Sequence, residues 1–162
     1  MKKLNIDEKE FISWMIIENE RNQLTSQIKL EDIDALTNLK IQKLLYFIEG
    51  CFIARFNKIL FQEDYEAWDA GPVMKKIYKF IRYDCYSKIN KTTFPNTLNL
   101  SLFSKNEKEF LQKTFNYWNS FSSQELVDFS HIGGPWRNTE KNKILKKELF
   151  TKEFLPLIDR ID

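Results

Sequence analysis

Apolar positions along this chain recur mostly at helical spacing, and polar runs cut them into a short series of elements. Phe11, Trp14, Met15, Ile16 and Ile17 predict a first amphipathic helix from about Asp7 to Asn22, with Glu8 and Glu10 in the first turn, where the helix dipole favours acids. A polar connection follows from Thr25 to Leu36, with one helical turn expected at Glu31 to Ala35. Thr37 or Asn38 is placed to cap a second helix reaching about Phe56. That helix is apolar over more than one face. Ile41, Leu45, Ile48 and Phe52 form one stripe, while Lys43, Tyr46 and Gly50 lie roughly opposite. A helix occupied on both faces belongs at the centre of its domain. Glycine inside a helix costs about 1 kcal/mol relative to alanine, so Gly50 is expected where another backbone or an aromatic ring comes close.

Beyond a turn at Asn57-Lys58, the segments Ile59 to Phe61 and Tyr65 to Trp68 read as two short extended pieces forming a β-hairpin ahead of the third helix. Gly71-Pro72 reads as a helix start, because proline at the first helical position loses no needed N–H. Val73, Ile77, Phe80 and Ile81 then predict a third helix from Pro72 to Ser87, with Asp69 accepting from its first N–H groups. The loop from Asn90 to Leu100 is long for a compact domain and is a candidate for partner contact. Ser104 and Glu107 form a capping box that opens a fourth helix carrying Phe110, Leu111, Phe115 and Trp118. Ser122 and Glu125 repeat the device ahead of Leu126, Val127 and Phe129. Gly133 and Gly134 are expected to end that fifth helix, with Pro135 preventing its resumption, and Thr151 to cap a last helix ended near Pro156. Trp68 and Trp136 then stand at chain reversals, where buried rings fill the gaps between elements. The expected fold is mainly α: a compact helical domain of about five to seven helices with a short β-hairpin before the third, as one domain over residues 1–162.

Composition narrows the class without naming it. The 43% hydrophobic and 30% charged content is that of a soluble globular protein, and 14 Phe point to a core packed with rings. The 25 Lys and Arg against 23 Asp and Glu leave a net charge of +2, too small to pull the whole chain onto nucleic acid. The charge is unevenly spread, however. Residues 75–91 hold Lys75, Lys76, Lys79, Arg82, Lys88 and Lys91 against only Asp84, a candidate basic surface on the third helix. Tyr78 and Tyr83 among those lysines keep a DNA-binding regulatory protein as the alternative reading. The start Met1-Lys2-Lys3 leads into acids without an apolar leader, and no long apolar run is present, so a cytoplasmic protein is expected.

His131 is the only histidine, so no mechanism or metal site needing two is available, and neither a metal nor a cofactor is expected. A Cys–His hydrolase with Cys51 or Cys85 as nucleophile and His131 as base is a remote alternative. Neither cysteine stands in an activating context, and both read as reduced, buried thiols. Glu66 with Asp64 or Asp69 could pair as carboxylates, but closeness in sequence shows only that they flank one turn.

Three motifs carry more information than any of this. Lys40-Ile41-Gln42-Lys43-Leu44-Leu45-Tyr46 resembles a signature written K-L-Q-K-L-L-Y. Leu60-Phe61 followed by Glu66-Ala67-Trp68 and Gly71-Pro72-Val73 resembles L-F-x(n)-E-A-W-x-x-G-P-V. Ser130-His131 followed by Gly134-Pro135-Trp136 resembles T-H-x-x-G-P-W, with Ser130 where Thr is usual. Order and spacing both resemble those of the Panacea domain family, also described as phage-associated GepA-like or SocA-like, over about residues 10–158. The resemblance implies binding rather than catalysis: an antitoxin that neutralises a cognate toxin, encoded by the adjacent gene, through direct contact. In SocA-type members it also implies an adaptor that delivers the toxin to the ClpXP protease. The motif residues Lys43, Tyr46, Glu66, Trp68, Gly71, Pro72, His131, Pro135 and Trp136 are expected to converge on one side of the domain, as a partner groove or as an interior polar cluster.

Overall fold

The computed structural model describes residues 1–82 and 96–162, and its fold is mainly α. In chain order the elements are β1 (Lys2–Ile6), α1 (Glu8–Thr25), α2 (Asn38–Phe56), β2 (Lys58–Phe61), β3 (Glu66–Trp68), β4 (Gly71–Val73), α3 (Lys75–Ile81), α4 (Lys105–Asn119), α5 (Ser123–His131), α6 (Gly134–Arg137) and α7 (Phe150–Ile158). Single 3-10 turns occupy Leu30–Asp32, Leu100–Leu102 and Lys147–Leu149.

Local signals set most helix ends. Asp7 Oδ1 accepts from Lys9 N at 2.8 Å to start α1, and Thr37 Oγ1 accepts from Lys40 N at 3.2 Å to start α2. Asn57, in the left-handed region at φ 52°, closes α2 through its N–H to Ile53 O. Both halves of the Ser104–Glu107 capping box are formed, and Ser122 Oγ accepts from Glu125 N at 3.1 Å ahead of α5. Thr151 is not a cap, because α7 starts a residue earlier behind Leu149 and runs through Pro156 to Ile158.

Helix α2 is the axis of the fold. Every residue from Ile41 to Ile53 is buried, with α4, α5, β4 and α7 packed around it. The Phe154 ring of α7 lies against Gly50 so closely that a Cβ there would overlap three of its carbons. Tyr46, one turn earlier, makes edge contacts with Phe150 and Phe154 at centroid distances of 5.5 and 5.2 Å. The core is correspondingly ring-rich, with Phe47 stacked on Trp118 at 4.2 Å and Phe11 edge-on to Phe61 at 5.0 Å.

The β elements depart from the expected pairing. Ile59 to Phe61 does not pair with the segment after it; β2 runs parallel to β1, the N-terminal strand that the charged start Met1-Lys2-Lys3 concealed. The hairpin before α3 is β3 with β4, joined by Asp69-Ala70, with Trp68 paired to Gly71. Gly71-Pro72 is therefore an extended strand, not a helix start, and α3 begins at Lys75 behind Met74. Proline at that edge owes no ladder N–H, the property that also suits it to a first helical turn. Asp69 caps nothing and pairs with Lys141 at 2.9 Å. The open side of β3 is covered by residues 142–145, through Ala67 N to Lys143 O at 2.9 Å and Leu145 N to Tyr65 O at 2.8 Å. The expected end of the third helix at Ser87, with Tyr83, Cys85, Lys88 and Lys91, lies outside the described residues, as does the loop from Asn90 as far as residue 95.

Candidate functional site

The motif residues form two polar contacts joined by one serine. On the first, Lys43 Nζ, fully buried on α2, donates to Pro72 O at 2.9 Å. Among the described residues no carboxylate pairs with it, and burial pushes the Lys43 ammonium down to about 7. Gly71, at φ 101°, brings β4 against this lysine; a Cβ there would stand 3.2 Å from Lys43 Nζ and run into Ser130 Oγ. Gln42, beside Lys43, accepts from Met74 N at 2.9 Å and so fixes the exit from the hairpin.

On the second contact, Trp136 Nε1 donates to Trp68 O at 2.8 Å, and the His131 ring stacks on Trp136 at 4.0 Å. Trp68 Nε1 donates to Glu66 Oε2 at 2.9 Å, and Glu66 also faces Lys75 at 3.8 Å. Both Trp rings are half-buried rather than enclosed, so each fills less of the interior than their place at chain reversals suggested. Pro135 does not merely block a helix: it is buried in the first turn of α6, which restarts after Gly133 at φ 72° and Gly134 at φ 75°. Ser130, buried against Gly71 and bonded to Val127 O at 2.7 Å, links the two contacts. The structure thus brings Lys43, Gly71 and Pro72 together in the interior, and Trp68, Trp136 and His131 at its margin.

Next to this cluster lies an open groove of about 450 Å³ between α2, α4, α5, α6 and α7. Phe47, Tyr117, Trp118, Phe121 and Phe129 line its apolar part. Tyr46 and Glu153 line its polar end: Tyr46 Oη and Glu153 Oε2 lie 4.0 and 3.9 Å from where a Cβ on Gly134 would stand, so the missing side chain keeps that end open. Burial, then the neighbouring Glu153, hold the Tyr46 phenol well above the usual tyrosine range, so it stays a neutral hydroxyl. Ile132 and Phe129, 75% and 37% exposed, form an apolar lip. The sequence reading missed this groove: Tyr117, Phe121 and Glu153 come together only through the docking of α7.

The remaining candidates are weaker sites. On α3, Lys75 pairs with Glu66 and Lys76 with Glu63 at 3.0 Å, so part of the basic stripe is neutralised from the hairpin side; Lys79 and Arg82 are exposed. Cys51 is wholly buried, and burial drives its thiol up to about 12, opposite to what a nucleophile requires. Among the described residues no three His, Cys, Asp or Glu side chains gather as a metal set, and no helix is long and apolar enough to cross a membrane.

Comparison with known proteins bears on this arrangement directly. Antitoxin SocA of Caulobacter vibrioides (strain NA1000 / CB15N) is 30% identical over 114 residues, which cover 62% of this chain and 58% of that protein. The chain therefore spans less than two-thirds of that relative's length. No solved structure matches it. The family model described as "Antitoxin SocA-like, Panacea domain" matches residues 41–137, from the start of the buried face of α2 to the end of α6. That span holds every motif residue placed above, and the chain belongs to the SocA-like Panacea family.

Proposed function

We propose that this chain is the antitoxin of a toxin–antitoxin pair, a single cytoplasmic domain that neutralises its toxin by direct contact rather than by catalysis. The observation that carries the reading is the open aromatic groove built against the family's own motif residues, in a chain related to an antitoxin. Interfaces draw their strength from aromatic anchors in pockets that exclude water, and the groove offers ring walls on a rigid scaffold. In this reading the interior residues Lys43, Gly71, Pro72 and Pro135 hold the scaffold. Tyr46, with the half-buried Trp68, Trp136 and His131, forms its margin toward the partner.

The test is co-expression with the adjacent open reading frame in a bacterial host, following growth and what co-purifies with a tagged copy of this chain. Arrest by the neighbour alone, relieved by this chain in a co-purifying complex, is the expected result. A harmless neighbour with nothing co-purifying would overturn the reading. Delivery to a protease of the ClpXP type is the finer version. It requires the toxin's half-life to shorten when this chain is present and to recover in a host lacking that protease.

A further inference from the structure

We propose that the polar end of the aromatic groove is a socket for a basic side chain, arginine or lysine, presented between apolar residues of the partner toxin, with Glu153 as its counter-charge. The inference rests on the antitoxin reading and states the chemistry by which the partner is recognised.

Each fully buried carboxylate among the described residues has a partner. Glu49 is met by Lys147, Glu107 by Lys58, Glu18 by Arg21, and Glu8 accepts from Glu63 N. Glu153 lines the groove half-buried and has no ion pair among the described residues. A carboxylate beside apolar rings is costly when unpaired, and a cation brought to it recovers that cost. Its surroundings suit a cation with an apolar stem. The rings of Tyr117, Phe121 and Phe129 line the same groove and suit a cation on an apolar stem, and the Tyr46 hydroxyl offers an oxygen at the Glu153 end. An acidic ligand would meet Glu153 head-on, and a purely apolar one would bury the carboxylate without a partner. Arg160, also lining the groove, lies seven residues further along, in the turn that follows α7. It gives the groove a polarity: the basic anchor enters at the Glu153 end, and an acidic residue of the same segment faces Arg160.

The test uses the purified full chain and the toxin found in the growth assay, with affinity measured by calorimetry and folding by thermal melts. Glu153→Gln is expected to weaken binding on the order of 10- to 100-fold, the loss of a charged hydrogen bond, and Glu153→Arg to abolish measurable binding. Both melts stay near wild type. Alanine replacement of each Lys and Arg of the toxin should find one whose loss matches that of Glu153→Gln and does not add to it in the double variant. Wild-type affinity in both Glu153 variants, or no toxin residue coupled to Glu153, overturns the socket while leaving the antitoxin reading intact. A wild-type chain that neither binds nor neutralises its neighbour removes the reading and the socket together.

Discussion

Gly50 and Lys43, one on each side of Tyr46 in α2, show how single positions carry this fold. Alanine at Gly50 gains about 1 kcal/mol of helix propensity but must displace Phe154, which is held by Tyr46, Phe47 and Phe150. Overpacking of that kind costs about 1–3 kcal/mol, so Gly50→Ala should lower stability in a urea titration. Adding Phe154→Leu, which withdraws the ring, should restore part of it. Lys43 gives a pH signature. Its folded pKa is about 7 against an ordinary 10.5, so the unfolded chain binds more protons between those values and stability rises with pH across the window. Cys51 acts in the opposite sense above its ordinary 9.0, because the folded state keeps that proton up to about 12. The clean range is therefore pH 7 to 9, where wild type should gain about 2 kcal/mol relative to Lys43→Met. Parallel stability curves for the two proteins would mean that water reaches the ammonium. The slope is the readout, since the substitution also strips Pro72 O of its donor at every pH.

Elements far apart in sequence are tied by polar contacts that local patterns do not announce. Lys147, in the 3-10 turn before α7, donates to Glu49 of α2 at 3.1 Å, to Phe61 O at 3.1 Å and to Glu63 O at 2.8 Å. Glu49 Oε1 also accepts from Leu60 N and Phe61 N at 3.1 and 3.0 Å, and the buried Tyr65 hydroxyl has the same carboxylate as its polar neighbour. Desolvation raises the Glu49 pKa, while Lys147 and the backbone donors oppose that rise. Lys147→Met should leave a buried, unpaired carboxylate and cost about 3–5 kcal/mol, read as a lower urea midpoint at unchanged slope. A loss under about 1 kcal/mol would show that Glu49 takes up a proton without penalty. The contrast explains what the sequence made legible. Asp7, Thr37, Ser104 and Ser122 act within a few residues of themselves, so their helix starts could be read directly. The β1–β2 pair and the Glu49–Lys147 pair join segments that only the folded chain brings together. Gly71-Pro72 misled because the same missing N–H suits a first helical turn and a strand edge. The candidate site was legible as motifs. Its groove was not, because Tyr117, Phe121 and Glu153 gain their meaning only when α7 docks on α2.

At the scale of the molecule, two surfaces compete for the function, and they can be separated at exposed residues on each. The aromatic groove ends in a lip where Ile132 is 75% exposed, while Phe129 still packs on Trp118 and Phe121. The charged face of α3 presents Lys75, Lys76 and Lys79, two of them paired with Glu66 and Glu63 at a solvated surface. Exposed pairs of that kind add little to stability, so replacing all three lysines by Ala leaves a folded chain. Replacing the exposed Ile132 by Asp should cost little stability, yet it puts a charge on the rim of an apolar groove. If the groove is the toxin surface, the lip variant loses neutralisation and co-purification, and the lysine variant keeps both, with binding that changes little with salt. The reverse outcome would move the function to the basic face. A nucleic-acid reading would need its own result: DNA binding by the chain that falls with log salt in proportion to the phosphates contacted and is lost in the lysine variant.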